Sequence, residues 1–345
     1  MSADRGEILT TGDAFRPAWW LPGPHLQTVW GRVSRDRRRV RFRREALETP
    51  DGDELILDHV EGPAGSPRLL VLHGLEGSSN SVYVQGLLEA AARQGWRGTA
   101  LNFRSCARDP ADLSRMLPNR RPRLYHSGET TDLDFVARTL SAREPAAPLV
   151  AVGVSLGGNV LLKWLGEQPG QRIVAAAAAL STPYDLGASG VFLETPVGRL
   201  YVGHFLSTLK RKTQEVVERF PEAAGRIDVE RALKARSFWE FDDAANAPLH
   251  GFTGADDYYA RASSLGFLSR VATPALCLSA EDDPFLPPEA LARARAAASS
   301  AVDFRITRRG GHIGWIAGPW PWRPEPWAED LAINWLGSTL YSCTS

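Results

Sequence analysis

The feature that most constrains this chain is an alternation of short apolar runs with helix-forming runs, sustained along most of its 345 residues. Leu69-Leu70-Val71-Leu72 is followed by a helical pattern over Val82 to Arg93. Gly98 to Asn102 is followed, beyond an Arg- and Pro-rich loop, by another over Glu129 to Leu140. Pro148 to Val152 and Ile173 to Leu180 flank a third, Asn159 to Trp164. Short runs that are apolar throughout suit strands covered on both faces, and parallel strands need crossover connections of this length. The pattern predicts an α/β fold, with a mostly parallel central sheet flanked by helices. At 43% hydrophobic residues there is ample material for such a core.

Ahead of this region, seven arginines lie between Arg35 and Arg44. Arg39-Val40-Arg41-Phe42-Arg43 alternates, Thr49 to Asp53 is a turn signal, and Glu54 to Val60 alternates again, which predicts an edge hairpin with a charged, solvated outer face. Binding of an anionic surface is the competing reading of the arginines. The alternation of strand and helix stops from Pro183 to about Tyr258, where Val197 to Phe220 and Val229 to Trp239 read as amphipathic helices. It resumes with Pro274 to Leu278, a helix from Glu289 to Ala298, Val302 to Ile306 and a last helix ending near Trp335. The chain is read as one domain over 1–345, with its core at about 39–183 and 259–337 and a helical lid inserted at 184–258.

Forty basic residues balance forty acidic ones, so no global charge favours nucleic acid or membrane. Three widely spaced cysteines, Cys106, Cys277 and Cys343, form neither a disulfide framework nor a zinc pattern. The first residues are charged, without the apolar stretch of a signal peptide, and the longest apolar run is too short to span a bilayer. The expectation is a cytoplasmic protein with no membrane-spanning segment and no cofactor. No Walker A run or Gly-x-Gly-x-x-Gly helix start supports nucleotide binding.

Between the third pair of runs stands Gly153-Val154-Ser155-Leu156-Gly157. The pentapeptide alone is a weak signal. Strand, sharp turn and helix around it are the context in which its serine becomes an exposed nucleophile, with the helix N-terminus facing the charge that develops. A serine hydroxyl needs a base, which is itself oriented by an acid. On such a fold these follow in the order Ser, acid, His. His204 falls in the inserted helices and His250 precedes any acid at the end of a late strand, which leaves His312, in a loop after the last strand. The loop Ser279 to Pro287 offers Glu281, Asp282 and Asp283. Asp283, directly before the turn to a proline-capped helix, is the predicted acid, with Asp282 the alternative. Backbone N–H groups of Leu156 and of Leu75, in His73-Gly74-Leu75-Glu76-Gly77, are the predicted oxyanion donors. His73 is predicted to brace that loop, and Cys106 to be a buried thiol.

These residues resemble the α/β-hydrolase fold and, within it, the YheT-like bacterial hydrolases, relatives of eukaryotic membrane-anchored monoacylglycerol and phospholipid lipases. The resemblance runs from about Phe15 to Trp335. It is carried by His25-Leu26-Gln27-Thr28, Pro50-Asp51-Gly52-Asp53, His73 to Ser78, Tyr125-His126-Ser127-Gly128-Glu129-Thr130, Gly153 to Asn159, Asp257-Tyr258-Tyr259, Asp282-Asp283-Pro284-Phe285 and Gly310 to Gly314. It implies a triad of Ser155, Asp283 and His312. One departure is Arg104-Ser105-Cys106, where the family has Arg-Gly-Cys; if that glycine has a positive φ, serine implies a changed backbone. The loop from there to Tyr125 looks lengthened. The expected activity is hydrolysis of small-molecule acyl esters, lipid esters among them, through an acyl-enzyme. Thioester or amide hydrolysis, acyl transfer to an alcohol, and a non-catalytic binding protein on the same scaffold are the alternatives.

Overall fold

In the computed structural model, which describes residues 15–34 and 40–342, eight strands form one sheet. They are β1 (Arg43–Glu48), β2 (Glu54–Val60), β3 (Arg68–Leu72), β4 (Arg97–Asn102), β5 (Leu149–Val154), β6 (Val174–Leu180), β7 (Ala275–Ala280) and β8 (Val302–Thr307). The spatial order is β1-β2-β4-β3-β5-β6-β7-β8. The β1/β2 hairpin and the β2/β4 pair are antiparallel, and every later pairing is parallel. β3, β4, β5 and β7 are buried along their whole length, as covered parallel strands must be.

Helices α1 (Pro24–Ser34), α2 (Val82–Arg93), α3 (Thr131–Arg143) and α4 (Leu156–Glu167) precede the interruption. α2 and the last helix, Trp327–Ser342, cover one face of the sheet through Leu87, Leu88, Ala332 and Leu336. α3 and α4 cover the other through Leu133, Val136, Leu161 and Trp164. The alanines of β6 have small side chains, which lets α4 and the last helix pack closely against that strand from opposite faces. Arg104, at the end of β4, forks to Asp53 and Asp132 at 2.7 Å each, tying the turn of the first hairpin to α3. A fully buried guanidinium needs such carboxylates, which gives the Pro50 to Asp53 block a structural purpose.

Among the described residues no strand forms between β6 and β7. The span holds α5 (Leu186–Phe192), α6 (Pro196–Arg219) and several shorter helices. These helices have their own apolar cluster, centred on Val202, Leu206, Ala223, Phe241 and Leu249. The helix expected over Val229 to Trp239 is two pieces, Val229–Lys234 and Phe238–Phe241. Ala235 leaves the helix with an extended backbone, and the Ser237 side chain accepts from the Glu240 N–H to start a new turn.

The hairpin carries two of the three described arginines of the cluster. β1 begins at Arg43, so of the cluster only Arg43 and Arg44 stand on it, paired with Glu61 at 2.6 Å and Asp58 at 2.7 Å. Arg35 and Arg37 to Arg39 lie outside the described residues. Ser105 also departs from expectation. It adopts φ +60°, so serine occupies the left-handed conformation itself, its N–H held by the Asn119 side chain at 2.6 Å. α1 and a hairpin of Ile316–Trp320 with Arg323–Pro326 were not predicted. Among the described residues no helix is long and apolar enough to cross a membrane.

Candidate active site

β5 ends and α4 begins at Ser155, whose backbone sits at φ 54°, ψ −120°, a conformation few non-glycine residues adopt. Its N–H donates to the Leu180 carbonyl at 2.8 Å, fixing the turn to β6. The flanking glycines serve close approach. A Cβ on Gly157 would lie 2.5 Å from the Leu72 carbonyl oxygen and 2.6 Å from that of His73, both backbone atoms that cannot move aside.

His312 brings its Nε2 to 2.9 Å from Ser155 Oγ, and its Nδ1 to 2.9 and 3.1 Å from the two carboxylate oxygens of Asp283. A carboxylate can only accept, so Nδ1 carries the proton and Nε2 is left to accept from the serine hydroxyl. Asp283 is buried, and one of its oxygens also accepts from the Phe285 N–H at 2.8 Å. The Phe285 ring stacks on the imidazole with centroids 4.2 Å apart. Asp282 makes no bond to the imidazole. Its Oδ1 accepts from the Gly311 N–H at 2.9 Å, so it holds the histidine loop by its backbone. Burial raises the pKa of Asp282, and the Gly311 and Gly310 amides oppose the rise.

The histidine loop is clasped from the far end of the chain. The His312 N–H donates to Thr28 Oγ1 at 2.9 Å, and that hydroxyl donates to the Pro24 carbonyl at 2.8 Å. The Gln27 side chain exchanges two hydrogen bonds with the Ile316 backbone, at 2.8 and 3.2 Å. In the sequence the His25 to Thr28 block marks only the family resemblance. Its role is to seat the loop that presents His312, a role invisible until the two ends of the chain are brought together.

Beside Ser155 runs the loop after β3. A Cβ on Gly74 would come within 3.2 Å of the Ser155 Cβ. The amides on either side of Leu75 are engaged: Gly74 N–H donates to the Tyr83 hydroxyl and Glu76 N–H to the Tyr125 hydroxyl, both at 2.8 Å. Leu156 opens α4, where the first N–H groups have no intrahelical acceptor. His73 is fully buried. It accepts from the Phe103 N–H at Nε2 and bonds the Gly74 carbonyl through Nδ1 at 2.7 Å, which fixes its tautomer. Burial pushes its pKa down to about 4, so it stays a neutral brace. Burial pushes the Cys106 thiol up to about 11, far from a reactive thiolate.

One contact had no sequence signal. Lys212 of α6 reaches down to Glu76 at 2.7 Å, with both side chains almost wholly buried, and its ammonium stands over the Tyr125 ring. The Tyr125 hydroxyl donates to the same Glu76 oxygen at 2.8 Å. Burial raises the Glu76 pKa, but the lowering contributions, led by the charge and hydrogen bond of Lys212 and joined by the Tyr125 hydrogen bond, together outweigh it and the net shift is downward. Glu76 itself has φ +56°.

Ser155, His312, Leu75 and Leu156 open onto a cavity of about 810 Å³. Its far wall comes from the inserted helices, with Leu186, Leu193, Phe205 and Phe238. His204 lines the same cavity, whereas His250 is packed against His126, with ring centroids 4.5 Å apart. Among the described residues no group of three His, Cys, Asp or Glu side chains could hold a metal ion.

The alpha/beta hydrolase fold family model matches residues 67–319. The chain belongs to the α/β-hydrolase fold family and to its YheT-like branch. It is 36% identical over 344 residues to YheT of Escherichia coli (strain K12), an esterase by name, covering 98% of this chain and 97% of that one. It is 31% identical over 318 residues to the phospholipase ABHD3 of Mus musculus, covering 90% of this chain and 75% of the mouse protein. Among solved structures, a 2,6-dihydroxy-pseudo-oxynicotine hydrolase shares the fold with a TM-score of 0.54 and 17% identity, covering 87% of this chain and 68% of that one.

Proposed function

We propose that this hydrolase cleaves carboxylic esters, lipid esters among them, through an acyl-enzyme on Ser155. The observation that supports this most is the unbroken hydrogen-bonded line from Asp283 through His312 to Ser155 Oγ, opening onto an apolar-walled cavity. Relatives named as an esterase and a phospholipase point to the same chemistry.

In this reading His312 Nε2 takes the Oγ proton as Oγ bonds to the ester carbonyl carbon, and the carbonyl π electrons move onto oxygen. Leu75 and Leu156 N–H groups donate to that oxyanion, where losing one such donor costs about 3–4 kcal/mol. Asp283 keeps the proton on Nδ1 and stabilises the imidazolium. The C–O bond then breaks, and the alcohol leaves with the proton from Nε2. Water, deprotonated at Nε2, attacks the acyl carbon, and Oγ leaves as the hydroxyl with that proton, releasing the acid. The helical insertion, 184–258, serves as the cap that walls the acyl pocket.

A fluorophosphonate probe tests the reading. Wild-type protein should be labelled at Ser155, as located by peptide mass spectrometry, and the Ser155→Ala variant should not. A folded wild type left unlabelled overturns the enzyme reading. A panel of esters from acetyl to long-chain acyl then locates the preferred chain length.

A further inference from the structure

The loop after β3 carries Leu75, whose amide is the proposed oxyanion donor, and its aim depends on the residue that follows. Glu76 sits at φ +56°, a left-handed backbone that a non-glycine residue keeps only where its surroundings enforce it. Two anchors do so, and both converge on one carboxylate oxygen. On the sheet side, the Tyr125 hydroxyl accepts from the Glu76 N–H and donates to Glu76 Oε1, each at 2.8 Å. The Tyr125 ring is buried and stacks on Phe103 with centroids 5.6 Å apart, so this anchor belongs to the core. On the other side, Lys212 Nζ donates to the same Oε1 at 2.7 Å. Lys212 stands on α6, within the segment inserted between β6 and β7.

This is no surface ion pair. The Lys212 side chain is 2% exposed and that of Glu76 4%. Burying two charges adds little net stability over apolar side chains of similar volume, so packing α6 onto the core does not by itself call for a lysine. What an apolar residue at 212 could not do is hold the Glu76 carboxylate. Lys212 also donates to Cys106 Sγ at 3.2 Å and stands 5.1 Å over the Tyr125 ring, which fixes its direction. The Thr208 hydroxyl, one turn earlier on α6, adds a smaller contribution to the same carboxylate, and it already donates to the Phe205 carbonyl at 2.9 Å. Leu75, Glu76, Tyr125 and Lys212 all line the cavity that holds Ser155.

We propose that Lys212 is a positioning residue, which fixes Glu76 from α6 and so sets the aim of the Leu75 amide at the oxyanion. The inference rests on the ester-hydrolase reading above. It is tested on the full chain by p-nitrophenyl butyrate hydrolysis and by the rate of fluorophosphonate labelling. Lys212→Met with Glu76→Gln removes both charges, so no unpaired charge is left buried. Gln keeps an acceptor for the Tyr125 hydroxyl while Lys212's hold from α6 is lost. The urea midpoint of this double variant should lie close to that of the wild type. Its kcat should fall about 10- to 100-fold with KM within about twofold, because a misplaced group costs up to about 10² and outright loss of an oxyanion donor about 10²–10³. Fluorophosphonate labelling, which also develops negative charge on an oxygen beside Ser155, should slow by a similar factor. Tyr125→Phe removes the sheet-side anchor without touching the ion pair, and it should likewise lower kcat more than it raises KM. Lys210→Met removes another α6 lysine, one that donates to the Ala235 carbonyl within the insertion, and should leave kcat unchanged. The proposal is overturned if the double variant folds and keeps wild-type kcat, or if its loss lies in KM alone. A double variant that does not fold also overturns it, since the pair would then be a structural requirement. So does an unchanged kcat in Tyr125→Phe, or a Lys210→Met loss as large as that of the double variant. Wild-type protein that is neither labelled nor active fails the ester reading itself, whereas equal labelling of wild type and double variant fails this proposal alone.

Discussion

Replacing Lys212 with methionine should produce a stability loss that depends steeply on pH. The substitution keeps most of the apolar stem but leaves the Glu76 carboxyl buried with no cation, and one of its oxygens, Oε2, already has no hydrogen-bond partner among the described residues. Removing one member of a buried pair costs about 3–5 kcal/mol. Protonation sets a ceiling on the charge part of that cost. With an ordinary carboxyl value of 4.5, and one pKa unit equal to about 1.36 kcal/mol, keeping Glu76 neutral costs about 3.4 kcal/mol at pH 7 and about 0.7 kcal/mol at pH 5. The sign follows from the direction of the shift. In the wild type the Glu76 pKa is lowered, so its contribution is present above the unfolded value and lost as pH falls through the folded one. In the variant burial acts without Lys212 and the folded pKa rises, so stability is retained below the unfolded value and lost as pH climbs toward the raised one. Urea unfolding of both proteins at pH 5 and pH 7, followed by tryptophan fluorescence, should give a difference about 2–3 kcal/mol larger at pH 7. A loss below about 1 kcal/mol at pH 7, or one that is equal at the two pH values, would show that the pair does not act as a buried charge pair.

Four further outcomes are expected. Ser155→Ala should lower kcat by about 10⁶ and Asp283→Asn by about 10⁴, whereas Asp282→Asn, which keeps an acceptor for the Gly311 amide, should cost less than about tenfold; a reversed order of the two aspartates in steady-state kinetics would move the acid to Asp282. Ser105→Gly should raise the urea midpoint by an amount worth about 0.5–1 kcal/mol, because glycine removes the strain of φ +60° at the expense of a freer unfolded chain. Gly157→Ala should cost about 3 kcal/mol or more, since its Cβ meets two backbone carbonyls, and soluble expression with wild-type stability would contradict the packing described. Thr28→Val should lower kcat about tenfold with little change in KM, by releasing the amide that positions His312, and unchanged kcat would show the loop is held without it.

The parts of this molecule written locally were legible in the sequence. The strand runs Leu69 to Leu72 and Ile173 to Leu180 fall within a residue of β3 and β6, because covered parallel strands are apolar at every position. The helix over Val82 to Arg93 lies where its amphipathic pattern put it. α1 was missed because its mixed sequence shows little until its partner, the histidine loop, is present. The two-part helix after Val229 was missed because its periodicity continues through Ala235 while the backbone does not. Motif, chain order and loop position together were enough to select Ser155, Asp283 and His312, which do lie in a hydrogen-bonded line. What order could not supply was the contact of Glu76 with Lys212, since nothing near either residue in sequence signals a partner 136 positions away.

The clasp of Thr28 and Gln27 on the histidine loop has a consequence for synthesis. These contacts join residues 284 and 289 positions apart, and loop closure over such distances is slow relative to local folding. A ribosome releases the N-terminal partner early and its C-terminal counterpart near the end. For most of that interval the seat for the histidine loop has emerged while His312 itself has yet to be made. Under the proposed mechanism the nascent chain would gain activity only when its two ends meet.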